Sequence, residues 1–482
     1  MKTPPTPSTS HNLTNDDLAP DTKQEWGWYS IFAFWMSDVH SVGGYVFAAS
    51  LFALGLAGWQ VFVCLLMGIM IVYFFANLMG TPGQKAGVPF PVVCHMSFGV
   101  KGANIPAIIR GLIAVVWYGI QTFLASSSFI ILILYFFPEM ASLQKTTFLG
   151  LSALGWIGFM SMWVIQAFVF MFGMGMIRKV IDWSGPAIYI AMFALCAYML
   201  TQTGWSAINF DLSSKSLTGW QAFNMMIVAT ALVAGYFAGP TLNFSDFARY
   251  CSSHKNMKFG NLLGLPLNFM VFSIFSVVIV AASIPLFGKM ITDPIETVKQ
   301  LDSGMITVLG ALTFILATIG INIVANFVAP AFDFSNVSPS KISFKTGGFI
   351  AAFGSVLLTP WNLFNNPEMI HYTVDLLAAL IGPLYGIILM DYFVVRKQQI
   401  DVDALYTEDT DQAYWYDNGL NKKAVYALII AGVSSIITSF VLTDLANFSL
   451  FISGGVAALA YKQLMSKETI MHSEKLKLAK SV

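Results

Sequence analysis

The run FWMSDVHSVGGYVF, residues 34–47, places an Asp, a His and a glycine pair inside an otherwise apolar stretch. Asp38 and His40 are ionisable, and such a group at membrane depth must face a cavity or a partner. Gly43 and Gly44 weaken a helix interior. The run reads as a helix that unwinds near mid-membrane. The freed carbonyls and N–H groups are tolerated there only beside a polar cavity or ligand. The competing reading is a packing notch, with Asp38 and His40 near a water-facing end.

A second stretch repeats the oddity. In ALVAGYFAGPTLNFSDF, residues 231–247, Gly235, Gly239 and Pro240 interrupt an apolar run. Pro240 has no N–H to donate and kinks a helix. In VVWYGIQTF, Trp117 and Gln121 are four apart and share a helical face. An indole offers a stacking surface, and an amide offers both a donor and an acceptor, which suits a planar, hydrogen-bonding ring. In ATIGINIVANFVAP, Asn322 and Asn326 are also four apart. Two amides in an apolar span need partners, which could be each other, backbone or substrate. Packing roles for Trp117 and a structural clasp for the two amides remain open. The chain contains no H-E-x-x-H, G-x-S-x-G or Walker loop.

The elements that must carry these residues follow from composition. The chain has 482 residues, 56% hydrophobic and only 10% charged. Mean hydropathy is +0.70. Such a chain could not cover its own surface in water, so its solvent is the lipid bilayer. Net charge is zero, which implies no nucleic-acid partner. Cys64, Cys94, Cys196 and Cys251 form no C-x-x-C pair and read as buried thiols. No cofactor is implied.

Twelve apolar stretches suit spanning helices: roughly 28–54, 58–80, 104–137, 147–174, 182–203, 220–244, 261–287, 302–331, 347–363, 370–394, 423–443 and 446–463. With both termini on the cytoplasmic side, all 25 Lys and Arg except Lys145, Lys215, Lys289 and Lys299 fall inside. Arg110 is counted there as a loop charge. The first and sixth spans, both interrupted, lie five apart. An odd offset turns the second copy upside down, as in inverted five-helix repeats. The expected organisation is a tail over 1–27, a first repeat over 28–203, a second over 204–394, a loop and two helices over 395–463, and a tail over 464–482. The N-terminal segment, polar and without an apolar core, reads as a flexible tail rather than a signal peptide. The acidic run DVDALYTEDTDQAYWYD in the loop near 395–422 reads as a solvated cap.

Several motifs in order resemble the nucleobase:cation symporter-1 family: NDDLAP, TPGQKAGVPFPVVCHMSFGVKGANIPAIIRG, WYGIQTFLAS, INIVANFVAPAFDF and GPLYGIILMDYFVVRK. The resemblance runs from about residue 14 to 465. It implies an all-α membrane protein of twelve transmembrane helices, an inverted five-plus-five repeat with broken first and sixth helices plus two C-terminal helices. It also implies a permease, not an enzyme, that works as a monomer in the bacterial inner membrane. Its substrate would be a small planar heterocycle such as uracil, allantoin, hydantoin, cytosine or a purine.

Carried over residue by residue, the family's substrate site resembles Trp117, Gln121 and Asn326. Phe237 stands at the second aromatic position, with Tyr236 beside it, and Asp38, His40 and Ser41 lie where the first span makes polar contacts. Sodium-coupled relatives bind the ion with a carbonyl and two hydroxyls from the eighth span. Here those positions resemble Ala317, Gly320 and Ile321, and the last two carry no side-chain oxygen. Coupling to protons rather than sodium is therefore expected, with Asp38 and His40 as carriers that could titrate as a pair. The alternatives are sodium coupling, with Asp38 replacing the lost ligands, or passive facilitation.

Overall fold

The computed structural model describes residues 10–213, 217–301, 303–363 and 367–465. Expectations about Lys2, Lys215 and the C-terminal tail beyond Met465 lie outside the described residues.

Twelve helical segments occupy the expected positions among the described residues. The first span is split into Trp28–Val39 and Val42–Ser50. The second, third and fourth are Gly58–Ala86, Asn104–Phe136 and Ala153–Met171. The fifth is Met174–Thr203. The sixth is split into Gly219–Tyr236 and Ala238–Leu242. The seventh and eighth run over His254–Phe287 and Gly304–Val337. The ninth and tenth are Phe344–Leu357 and Pro367–Leu389. The last two are Lys422–Val441 and Ser449–Met465. Among the described residues, eight helices are long and apolar enough to cross a membrane unaided. The spans form helices because lipid supplies no partner for backbone N–H and C=O groups, so each segment satisfies its own.

Several spans run past their expected edges, the fifth from Met174 and the seventh from His254, and three others depart from expectation for local reasons. The fourth span starts at Ala153, not 147, because Leu149 and Gly150 adopt positive φ and turn a short hairpin pairing Thr147 with Ser152. The eighth span contains a wide π turn over Asn322–Phe327. Pro330, one turn on, has no N–H for the carbonyl of Asn326. The ninth is shorter than expected, because the chain breaks before Pro360.

Two expectations about the polar segments are overturned. Residues 10–27 are not a loose tail. Leu18 is fully buried, Tyr406 Oη donates to its carbonyl at 2.7 Å, and Asn15 Nδ2 donates to Ser335 Oγ at 2.8 Å. Arg249 Nη1 donates to the Asp17 carbonyl at 2.8 Å, and its Nη2 to that of Ala19. The acidic loop is no mere solvated cap, since Ala404, Leu405, Tyr406 and Tyr414 are buried. It packs over an unexpected short helix, Phe90–Phe98, whose His95 bonds through Nδ1 to the Leu405 carbonyl at 2.7 Å. Burial lowers the pKa of this imidazole below its usual value. All four cysteines are free and buried, as expected.

Candidate functional site

The first span breaks at His40 and Ser41, two residues before the glycines. Ser41 is extended and caps the second half, its Oγ accepting from Gly44 N at 2.8 Å. The glycines therefore do not form the break. They allow a close approach. A Cβ on Gly43 would lie 2.9 Å from Tyr236 Oη and 3.3 Å from Gln121 Nε2. The broken first span, the broken sixth and the third thus meet at one point. Asp38, in the last turn before the break, is 2% exposed, and its Oδ1 has no hydrogen-bond partner among the described residues.

The sixth span breaks at Phe237. Pro240, three residues on, cannot donate to the carbonyl of Tyr236. Thr241 Oγ1 donates to the Phe237 carbonyl at 2.7 Å, and Tyr385 Oη to that of Ala238 at 2.8 Å. The two adjacent aromatics divide their roles. Phe237 is 1% exposed and packs edge-on against Phe269, with centroids 5.3 Å apart. Tyr236 is half-buried, stacks on Phe47 at 4.6 Å and 17°, and turns its hydroxyl toward Gly43 and Gln121.

On the third span Trp117 is half-buried one turn before Gln121. Gln121 Oε1 is buried and has no hydrogen-bond partner among the described residues. Such a group is an acceptor in search of a donor. The eighth-span amides differ sharply. Asn322 Nδ2 contacts Gln166 Oε1 at 2.8 Å, Thr122 Oγ1 at 3.0 Å and the Tyr118 carbonyl at 3.2 Å. Its Oδ1 accepts from Asn326 Nδ2 at 3.0 Å. Asn322 is a clasp between spans, and it orients Asn326 from behind.

His40 turns away from this group. Its Nε2 lies 2.9 Å from Asn268 Oδ1, while Asn268 Nδ2 donates to the Gly264 carbonyl at 3.0 Å. That orientation makes Asn268 Oδ1 the acceptor, so His40 Nε2 carries the proton. Tyr189 Oη donates to the same oxygen at 2.6 Å, and the imidazole stacks on Phe272 at 4.8 Å. His40 is thus committed to Asn268 and Tyr189, whereas Asp38 Oδ1 has no hydrogen-bond partner among the described residues, although the two groups are two residues apart.

Near Gly320, where the family resemblance implies an ion ligand, two hydroxyls approach from other spans. A Cβ on Gly320 would lie 3.3 Å from Ser184 Oγ and 3.6 Å from Ser37 Cβ. The two hydroxyls are 3.0 Å apart and buried. Ala317 and Ile321 are buried nearby on the same helix.

Sequence reasoning missed a charged group. Arg110 is no loop charge: it is 1% exposed within the third span. Its Nε donates to Asn243 Oδ1 at 2.9 Å, and its Nη2 to the Ala325 carbonyl, in the π turn, at 3.1 Å. Asn243 Nδ2 donates to Asp246 Oδ2 at 3.0 Å, and Asp246 Oδ1 accepts from Phe90 N at 2.8 Å. Asp333 on the eighth span is also fully buried. The signal was available: an Arg followed at once by a long apolar run, and acids beside apolar runs.

A family model described as "Permease for cytosine/purines, uracil, thiamine, allantoin" matches residues 19–461. This chain belongs to that family, the nucleobase:cation symporter-1 permeases. It is therefore a multi-pass membrane transporter rather than an enzyme. An allantoin permease of Bacillus subtilis (strain 168) is 31% identical over 98% of this chain and 99% of its own. The purine-uracil permease NCS1 of Arabidopsis thaliana is 31% identical over 95% of this chain and 78% of its own. Among solved structures, the symporter-1 transporter Mhp1, closed with bromovinylhydantoin bound, superposes with a TM-score of 0.74 at 22% identity, covering 96% of this chain and 99% of that one. The match identifies the inverted-repeat fold, with its broken first and sixth helices.

Proposed function

We propose that this permease imports a planar nucleobase or a related heterocycle, such as allantoin, uracil, hydantoin, cytosine or a purine, by proton symport. One observation carries the reading. Gly43, Gln121 and Tyr236 converge from three spans at two helix breaks, around a buried amide oxygen with no partner. In this reading the ring lies between Trp117 and Tyr236, with Phe237 packed against Phe269 behind the aromatic wall rather than on the ring itself. Its N–H groups donate to Gln121 Oε1, and Asn326 and Ser41 complete the polar edge. A ring lacking the matching donor leaves that amide unpaired, which is how such a site discriminates.

Asp38 is the proton carrier of choice. A buried carboxyl whose Oδ1 has no donor around it is a group that can gain and lose a proton as the bundle moves. His40 is tied to Asn268 and is the weaker candidate of the pair. The bundle turns only if substrate and proton bind the two states with different affinity. The charge pattern supports cytoplasmic termini in a bacterial inner membrane, and the complete site within one chain supports a working monomer.

Sodium coupling has one observation in its favour: the Ser37 and Ser184 hydroxyls fill the place the eighth span leaves apolar. Uptake of labelled allantoin and uracil into proteoliposomes separates the readings. Accumulation driven by an imposed pH gradient without sodium, and abolished by a protonophore, is expected. Strict sodium dependence would discard the proton reading, and exchange without accumulation would leave a facilitator.

A further inference from the structure

An apolar cavity lies away from the proposed substrate site. It occupies about 450 Å³ between the second, sixth, tenth and twelfth spans. Phe75, Ala234, Ala238, Leu389, Gly455 and Ala458 form its walls. On the twelfth span Gly455 is exposed, and a Cβ there would meet nothing within 4 Å. At the rim of the tenth span Val394 is 46% exposed. The crevice therefore opens sideways, through the belt of spans, into hydrocarbon.

One end of the crevice is charged. Lys85 follows the wall residue Leu78 by seven positions, on the same face of the second span and about 10 Å further along. It is exposed in the last turn of that helix. Its Nζ stands 5.9 Å over the ring of Tyr392, which follows the wall residue Met390 by two positions. An apolar slot of this size, open to lipid and ending at an exposed ammonium at interface depth, matches one phospholipid: an acyl chain inside and a phosphate at the amine.

We propose that this crevice is a phospholipid site, selective for an anionic headgroup through Lys85. Its position gives the lipid a role. Ala234 and Ala238 lie on either side of the Phe237 break, and Tyr385, also in the wall, holds the Ala238 carbonyl. An acyl chain seated there touches both halves of the sixth span and the bond that braces them. Its presence biases the hinge about which the sixth span bends.

The test uses native mass spectrometry of the purified full chain, supplied with phosphatidylglycerol or phosphatidylethanolamine. Wild type should retain one phospholipid and prefer phosphatidylglycerol several-fold. Gly455→Phe, at a position where an added Cβ meets nothing within 4 Å, puts a ring into the slot and should reduce the lipid-bound fraction at least tenfold, with Gly455→Leu as the milder variant. Lys85→Ala should keep the lipid and lose the headgroup preference. Thermal unfolding midpoints near wild type show that the variants are folded. Equal lipid retention by wild type and both Gly455 variants overturns the proposal. So does a wild-type dimer that Gly455→Phe dissociates, since that would assign the crevice to a second copy of the chain.

Discussion

Arg110 Nε donates to Asn243 Oδ1 at 2.9 Å, joining the third span to the segment just beyond the broken sixth. The same guanidinium reaches the Ala325 carbonyl, next to Asn326 in the π turn. One buried cation thus ties the π turn that carries Asn326 to the segment that follows the broken sixth span. Arg110→Met removes both donors and leaves Asn243 Oδ1 and the Ala325 carbonyl buried without them. Each orphaned acceptor costs about 1–3 kcal/mol. A lower unfolding midpoint in detergent, together with loss of uptake, is expected; Arg110→Met with wild-type stability would contradict this account.

The two eighth-span amides should separate cleanly by experiment. Asn322→Ala breaks the clasp to Gln166, Thr122 and the Tyr118 carbonyl, and is expected to destabilise by about 1–3 kcal/mol. Asn326→Ala keeps that clasp and should raise KM for uptake with the unfolding midpoint little changed. Measuring both quantities on both variants checks the assignment, and equal behaviour would refute it.

At the sixth-span break, the neighbours Tyr236 and Phe237 predict opposite outcomes. Phe237 is 1% exposed, so Phe237→Ala opens a cavity and should cost about 3–5 kcal/mol. Tyr236→Ala removes a half-buried ring and should weaken substrate binding with a smaller loss of stability. Scintillation proximity binding beside thermal unfolding distinguishes them.

Gly43→Ala is the sharpest probe of the convergence point. The added methyl would sit 2.9 Å from Tyr236 Oη, so the hydroxyl must move. A loss of about tenfold in substrate affinity, or about 1.4 kcal/mol, is expected. Trp117→Ala should impair uptake at least as strongly while the protein still inserts into the membrane. Normal transport by the Trp117 variant would move the site elsewhere.

The docked N-terminal segment should respond to acid. Glu408 Oε2 accepts from Ser10 Oγ at 2.7 Å and from Asn12 Nδ2 at 3.1 Å, with Lys101 Nζ 3.7 Å from Oε1. These hydrogen bonds hold its carboxyl below the usual glutamate value, aided by the charge of Lys101. A depressed pKa means the latch contributes fully above that value and is lost as pH falls through the lower, folded one. Limited proteolysis of residues 10–27 should accelerate in that acid window. Glu408→Gln should flatten the pH dependence, and an unchanged profile would disconnect Glu408 from the latch.

Much of this architecture was written in local residue patterns. A segment of some twenty apolar residues must be helical in lipid, because its backbone has no other partners. Pro240 marked the broken sixth span, and the polar residues around His40 marked the first. Trp117 and Gln121 share a face by helical spacing alone, wherever the helix goes. What the tertiary structure decided is which of these groups meet. His40 and Asp38 are nearly adjacent in sequence, yet a two-residue break sends one to Asn268 and leaves the other's Oδ1 without a hydrogen-bond partner among the described residues. Gly320 is apolar in its own helix, but Ser37 and Ser184 bring hydroxyls to it from two other spans. The N-terminal segment has no apolar core of its own and gains order by docking on residues far along the chain, Gly87 and Tyr406 among them. Helicity is settled by bonds within a few residues, whereas a site is made by contacts between distant ones, and no local periodicity encodes those.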